Sequence, residues 1–267
     1  TLLKHNVIFL DEAEEKRKIL ASETFNKNAD VTLTCRQQEA FEKILATEKG
    51  CPVLLKGITG SGKTEIYLKI IEETIKSGKQ AVVLVPEISL TPMIVGRFRE
   101  RFKDKVSVTH SKMTDAERLD QWKRAKDGEI SVMIGPRSAI FAPFENLGAI
   151  IIDEEHDLAY KSDTTPKYDA KETAIELAKL KKSIVVFGSA TPSVISMYKA
   201  KTGEYNLVEL NERPLSKHQT EIVITDMRRE LEEGNRSIFS RELMNSLKEN
   251  LNLGHQSILF LNRRGYS

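Results

Sequence analysis

Short apolar runs rich in valine and isoleucine recur along this chain, at 53–55, 81–85, 106–108, 130–134, 149–152 and 184–187. Each is nearly all apolar instead of alternating, as expected of parallel strands covered on both faces. Between them, apolar positions fall three and four residues apart. That spacing predicts helices over 64–76, 91–102, 114–126 and 169–180. Strand and helix in alternation predict an α/β fold with a doubly wound parallel sheet. In such a sheet ligands bind beyond the carboxyl ends of the strands.

The pattern divides the chain. Residues 1–30 are charged and loosely patterned, the lead-in from an upstream domain. Residues 31–203 carry the strand and helix alternation. Residues 204–267 restart it, with strands expected at 205–210, 221–225 and 257–261 and a helix at 240–249 capped by Ser240. So few residues cannot complete a second α/β lobe, so the expectation is a piece of a longer protein in which that lobe is truncated.

Composition narrows the setting. The 267 residues carry a formal net charge of +2, so any nucleic-acid site is local, in a groove, and not a global basic field. Cys35 and Cys51 are the only cysteines and lack metal-site spacing; two reduced thiols in a cytoplasmic protein are expected. No apolar run approaches membrane-spanning length. Trp122 is expected to anchor the core.

The chemistry begins at Gly57-Ile58-Thr59-Gly60-Ser61-Gly62-Lys63-Thr64, a complete phosphate-binding loop between a predicted strand and a predicted helix. Glycines let backbone N–H groups wrap a phosphate. Lys63 brings a point charge to the β- and γ-phosphates, and the Thr64 hydroxyl suits Mg²⁺. The following helix points its positive dipole end at the same place. Downstream, an apolar strand ends in Asp153-Glu154-Glu155-His156-Asp157. Asp153 at the strand tip suits the magnesium, and Glu154 is placed to orient and deprotonate an attacking water. His156 is a candidate for coupling. A third strand ends in Gly188-Ser189-Ala190-Thr191-Pro192, whose two hydroxyls could bond the acids and relay loss of the γ-phosphate.

Phosphate loop, then Asp-Glu-x-His, then Ser-Ala-Thr, resembles the superfamily 2 helicases. With Leu84-Val-Pro-Glu-Ile-Ser-Leu-Thr-Pro92 and Phe260-Leu-Asn-Arg-Arg-Gly-Tyr266 added, residues 31–267 resemble the PriA family of bacterial primosomal, replication-restart helicases. The resemblance implies RecA-like lobes and a 3′-to-5′ DNA helicase driven by ATP and Mg²⁺. Its substrates would be single-stranded and forked DNA at stalled replication forks. Primosome and single-strand-binding proteins would be its partners, and a monomer the default state. It further implies that Gln37, in Leu33-Thr34-Cys-Arg-Gln37, reads the adenine edge. The family's zinc ligands and the motif with its arginine finger lie outside these 267 residues, so the chain is expected to bind ATP but turn it over slowly. Two places depart from the family pattern. Gly135-Pro136-Arg137-Ser138 stands where the family has Gly-Thr-Arg-Ser. Lys167-Tyr168-Asp169-Ala170-Lys171 stands where it has Arg-Tyr-His-Ala-Arg.

A translocating motor grips phosphates with local donors and stacks bases on aromatic rings. Candidates for DNA contact are Thr91, Arg97, His110, Ser111, Arg137 and Ser138, with an aromatic and basic loop of Tyr160, Lys161, Lys167 and Tyr168. Two alternatives stay open: a different superfamily 2 motor acting on DNA or RNA, and a nucleotide-gated scaffold that recruits replication proteins without unwinding.

Overall fold

A computed structural model of the chain describes residues 32–211 and 221–260. They fall into two compact units, divided between Ser216 and Lys217.

The first unit is built on one seven-stranded sheet in which every neighbouring pair is parallel. Its strands are β1 (Pro52–Gly57), β2 (Gln80–Leu84), β3 (Val106–Val108), β4 (Val132–Gly135), β5 (Leu147–Ile152), β6 (Ile184–Ser189) and β7 (Asn206–Leu210). They lie in the order β3-β4-β2-β5-β6-β1-β7. The helices are α1 (Cys35–Ala46), α2 (Lys63–Lys76), α3 (Pro92–Phe102), α4 (Asp115–Lys126), α5 (Ala170–Lys181) and α6 (Val194–Lys201).

Successive residues of a strand point to opposite faces, and here that sorts them into two cores. Val53, Leu55, Val83, Ile134, Ile151 and Val186 pack with α1, α2 and α3 on one face. Leu54, Val82, Met133, Ile150, Ile152 and Phe187 pack on the other, against Ala125 of α4 and Ala170, Ala174 and Ala178 of α5. All six expected strands and four expected helices of this region form, with ends shifted by a residue or two.

Two expectations about the chain after 203 change. The strand at 205–210 forms as β7, but it pairs with β1 in the first sheet instead of opening a new lobe. Val208 and Leu210 complete the α1/α2 core, which supplies the reason: without β7, β1 would be an uncovered edge beside the phosphate loop. In the second unit, α7 (Met227–Glu232) and α8 (Arg241–Asn252) form, and Ser240 caps α8 by accepting from the Leu243 N–H. Residues 221–226 and 257–260 are not strands. Ile222, Ile224, Ile258 and Phe260 are exposed, and a strand needs a neighbour to pair its backbone groups. Residues 1–30, and Arg263 and Arg264 of the Phe260 motif, lie outside the described residues.

Candidate active site

The strand order sets the site. β5, β6 and β1 are adjacent, and the three chemical motifs follow their carboxyl ends. β1 ends at Gly57, the loop crosses the sheet edge, and α2 begins at Lys63 with Gly62 as its cap at φ 84°. Any side chain at 62 would be strained there, and its Cβ would lie 2.2 Å from the Gln37 amide nitrogen. The Lys63 Nζ donates to the Gly57 carbonyl at 2.7 Å. Thr59 and Gly60 are exposed at the loop tip, and Thr64 is half-buried on the first turn of α2. The Ser61 hydroxyl is buried with no hydrogen-bond partner. An orphaned donor beside a glycine cradle, a lysine and a helix N-terminus fits a phosphate group.

Gln37, expected to read the adenine edge, lies against the phosphate loop. It is buried. Its Nε2 donates to the Ser61 carbonyl at 2.9 Å, and its Oε1 accepts from the Thr34 N–H at 2.9 Å. The second bond is half of a capping box with Thr34 at the start of α1. Ser/Thr followed three residues later by Gln is a sequence signature of that box, so this role was legible.

Asp153 follows β5, its N–H donating to the Leu84 carbonyl at 2.9 Å. Its Oδ1 accepts from the Tyr67 hydroxyl at 2.9 Å. Burial pushes the Asp153 carboxyl above the usual range, against the Tyr67 hydrogen bond and the Lys63 charge that favour the anion. Glu154 is also raised, by burial first and the Asp153 charge second, with Lys63 opposing. The ammonium of the phosphate loop therefore acts on both carboxylates, from two strands away. Glu154 sits at φ 48°, a conformation few non-glycine residues adopt and one that collects at functional sites.

The remaining motif residues join up. The His156 Nδ1 lies 2.8 Å from the Ser189 Oγ and 3.6 Å from a Glu154 oxygen. Ser189 also accepts from the Thr191 N–H at 3.0 Å, while Thr191 itself is exposed. Glu155 was missed. It is fully buried and accepts from Lys171 Nζ at 2.8 Å, the Ser193 N–H at 2.7 Å and the Ser196 hydroxyl at 2.8 Å. Burial alone would raise its carboxyl; Lys171 and the serine donors outweigh it and hold it below the usual range.

The other half of the sheet carries the residues expected to meet DNA. Thr91 follows β2, His110 and Ser111 follow β3, and Arg137 and Ser138 follow β4, all at the same edge. Thr91 caps α3 by accepting from the Ile94 N–H. The Ser111 N–H donates to Glu87 at 3.0 Å. Arg97, Ser111, Ser138, Lys161 and Lys167 are exposed and His110 is partly so. Pro136 leads into a 3-10 turn, Arg137–Phe141. From it the Arg137 Nη1 donates to the carbonyls of Lys161 at 2.6 Å and Ala159 at 3.3 Å. Tyr168 packs edge-on against Phe141, ring centroids 5.0 Å apart.

Tyr160 is a correction. It is 1% exposed, and its hydroxyl donates to the carbonyls of Leu84 and Asp153, so no base can stack on it. Trp122 errs the other way: it is 43% exposed on α4, with the Lys126 ammonium 5.3 Å from its ring centroid. The two cysteines are free. Among the described residues, no helix is long and apolar enough to cross a membrane.

Known proteins resemble this chain in sequence and fold. The DEAD/DEAH box helicase model matches residues 34–199. The replication restart protein PriA of Bacillus subtilis (strain 168) is 47% identical over a 270-residue alignment covering 100% of this chain and 34% of that protein. PriA of Synechocystis sp. is 42% identical, with 100% and 33% covered. The chain thus spans about a third of the curated relatives it matches. RecG, in a structure bound to a three-way DNA junction, shares the fold at a TM-score of 0.55 and 24% identity, covering 84% of this chain and 31% of RecG. The chain belongs to the DEAD/DEAH box helicase family.

Proposed function

We propose that this chain is the nucleotide-binding lobe of an ATP-driven, 3′-to-5′ DNA helicase that acts at stalled replication forks. One observation carries the reading: the Lys63 ammonium and the Asp153 and Glu154 carboxylates converge at one sheet edge closely enough for the lysine to act on both acids. Thr64 and Asp153 would hold magnesium, which with ATP supplies the charge neutralisation that phosphoryl transfer needs. Lys63 would leave the Gly57 carbonyl for the phosphates, and Ser61 would gain the partner it lacks. Glu154, whose carboxyl burial raises above the usual range, would be placed to accept a proton from water. His156, Ser189 and Thr191 would carry the γ-phosphate state toward the DNA loops.

The DNA strand would run over the ends of β2, β3 and β4, gripped by Thr91, Arg97, His110, Ser111, Ser138, Lys161 and Lys167, with Tyr168 at its margin. The relatives' name supplies replication restart; the cytoplasm, forked DNA, primosome and single-strand-binding partners, and zinc bound elsewhere in the whole protein, belong to the same proposal and rest on the resemblance of the motifs.

The test is binding of a fluorescent ATP analogue to the wild-type chain and to Lys63→Ala, followed by ATP hydrolysis by the full-length protein with single-stranded DNA or RNA. Lys63→Ala should weaken analogue binding at least tenfold, and DNA alone should stimulate hydrolysis. Stimulation by RNA alone would transfer the chain to another superfamily 2 motor. Unwinding that survives Lys63→Ala would refute the nucleotide site.

A further inference from the structure

The Asp153 carboxylate arrives at the nucleotide site already held. Tyr67 lies four residues after Lys63 on α2, one turn along the same helix face. The face that aims the lysine at the phosphates therefore aims a phenol at the acid. Tyr67 is 2% exposed and its hydroxyl donates to Asp153 Oδ1 at 2.9 Å.

The surrounding chain is cut to admit that hydroxyl. A Cβ at Gly188, the penultimate residue of β6, would lie 1.6 Å from the Tyr67 hydroxyl oxygen and 2.8 Å from its ring. A phenylalanine would fill the apolar space equally well, so the hydroxyl is explained by the bond it makes and not by packing. On the backbone side, the Tyr160 hydroxyl donates to the Asp153 carbonyl. Two buried tyrosines thus clamp one residue, Tyr67 on its side chain and Tyr160 on its main chain.

We propose that Tyr67 is a positioning residue that orients the Asp153 carboxylate for a divalent cation. The proposal rests on the nucleotide reading above. Partners that orient a metal-binding carboxylate matter for metal affinity, typically by ten- to a hundredfold. Affinity for the nucleotide without metal depends on the phosphate loop instead and should not change.

The experiment measures binding of a fluorescent ADP analogue to the whole chain, wild type and Tyr67→Phe, first in chelator and then along a magnesium titration. Equal affinity in chelator, with at least about tenfold more magnesium needed by Tyr67→Phe for the half-maximal rise, is the expected result. Gly188→Ala, measured the same way, should shift the midpoint in the same direction by pushing the hydroxyl aside. It also supplies the answer should Tyr67→Phe fail to fold by thermal melt. A magnesium midpoint within twofold of wild type in a folded variant overturns the proposal. So does an equal loss in chelator, which would mark Tyr67 as packing alone. Absence of any magnesium dependence in wild type would instead overturn the nucleotide reading beneath it.

Discussion

Glu155 is an acid with no access to water, one residue from the acids assigned to catalysis. It draws together the end of β5, Lys171 of α5 and the first turn of α6. Removing one partner of a buried ion pair leaves the other uncompensated. Glu155→Ala should therefore cost about 3 kcal/mol in denaturant unfolding, while Glu155→Gln, which keeps an acceptor for the serines, should cost less. Loss below about 1 kcal/mol for Glu155→Ala would mean that solvent reaches Lys171 and replaces its partner. As a letter in the sequence, Glu155 offers a part in coupling by its position beside the acids assigned to catalysis and not this structural role, because its cation stands sixteen positions away. Tyr160 and Tyr168 show the same limit. Both are tyrosines on one loop, but only folding decides which hydroxyl finds backbone carbonyls and which ring lies near the surface.

At the scale of elements, local chemistry gives Asp169 a role of its own at the position where the resemblance leads to the expectation of histidine. Its carboxylate caps α5 by accepting from the Lys171 N–H at 2.8 Å. Asp169→Ala should lower stability by about 1 kcal/mol, read by thermal or urea unfolding, with little change in nucleotide binding. A second device joins α2 to α3. Glu72 accepts from Arg101 at 2.7 Å and lies 3.0 Å from Lys76. Burial alone would raise its carboxyl, but Arg101 and then Lys76 pull it down to about 2. Its value in the unfolded chain is the ordinary one near 4.5, so the depressed folded value makes it stabilising above that pH. The contribution fades as pH falls from about 4.5 toward about 2. Stability curves of wild type and Glu72→Gln should differ by about 1 kcal/mol at pH 7 and converge in that acid window. Curves that stay parallel would show that the charge is not what joins the helices.

For the whole molecule, the proposed function divides one sheet edge between two tasks. Strands β5, β6 and β1 bear the residues assigned to the nucleotide, and the loops after β2, β3 and β4, with residues 161–168 of the loop after β5, bear those assigned to DNA. Arg137 spans the boundary, donating from the β4 turn to the loop after β5. Lys167 is exposed on that loop. Lys167→Ala in the full-length protein should weaken single-stranded DNA binding similarly for all sequences. It should also lower the slope of log affinity against log salt by about 1, with stability unchanged within about 0.5 kcal/mol. An unchanged salt slope would remove Lys167 from the DNA path.

The periodicity of apolar residues was enough to specify the parallel sheet and its helices, since burial on both faces leaves a strand no polar positions. The phosphate loop, Asp153 and Glu154 were legible for a similar reason: their chemistry depends on residue types at fixed spacing along a single strand and turn. What depends on strand order was not legible. That β7 closes the first sheet beside β1, that Gln37 turns onto the loop, that Tyr67 holds Asp153 and that Glu155 ties Lys171 to the start of α6 are consequences of groups meeting that lie far apart in sequence. Spacing along the chain carries no record of such meetings; only packing brings them about.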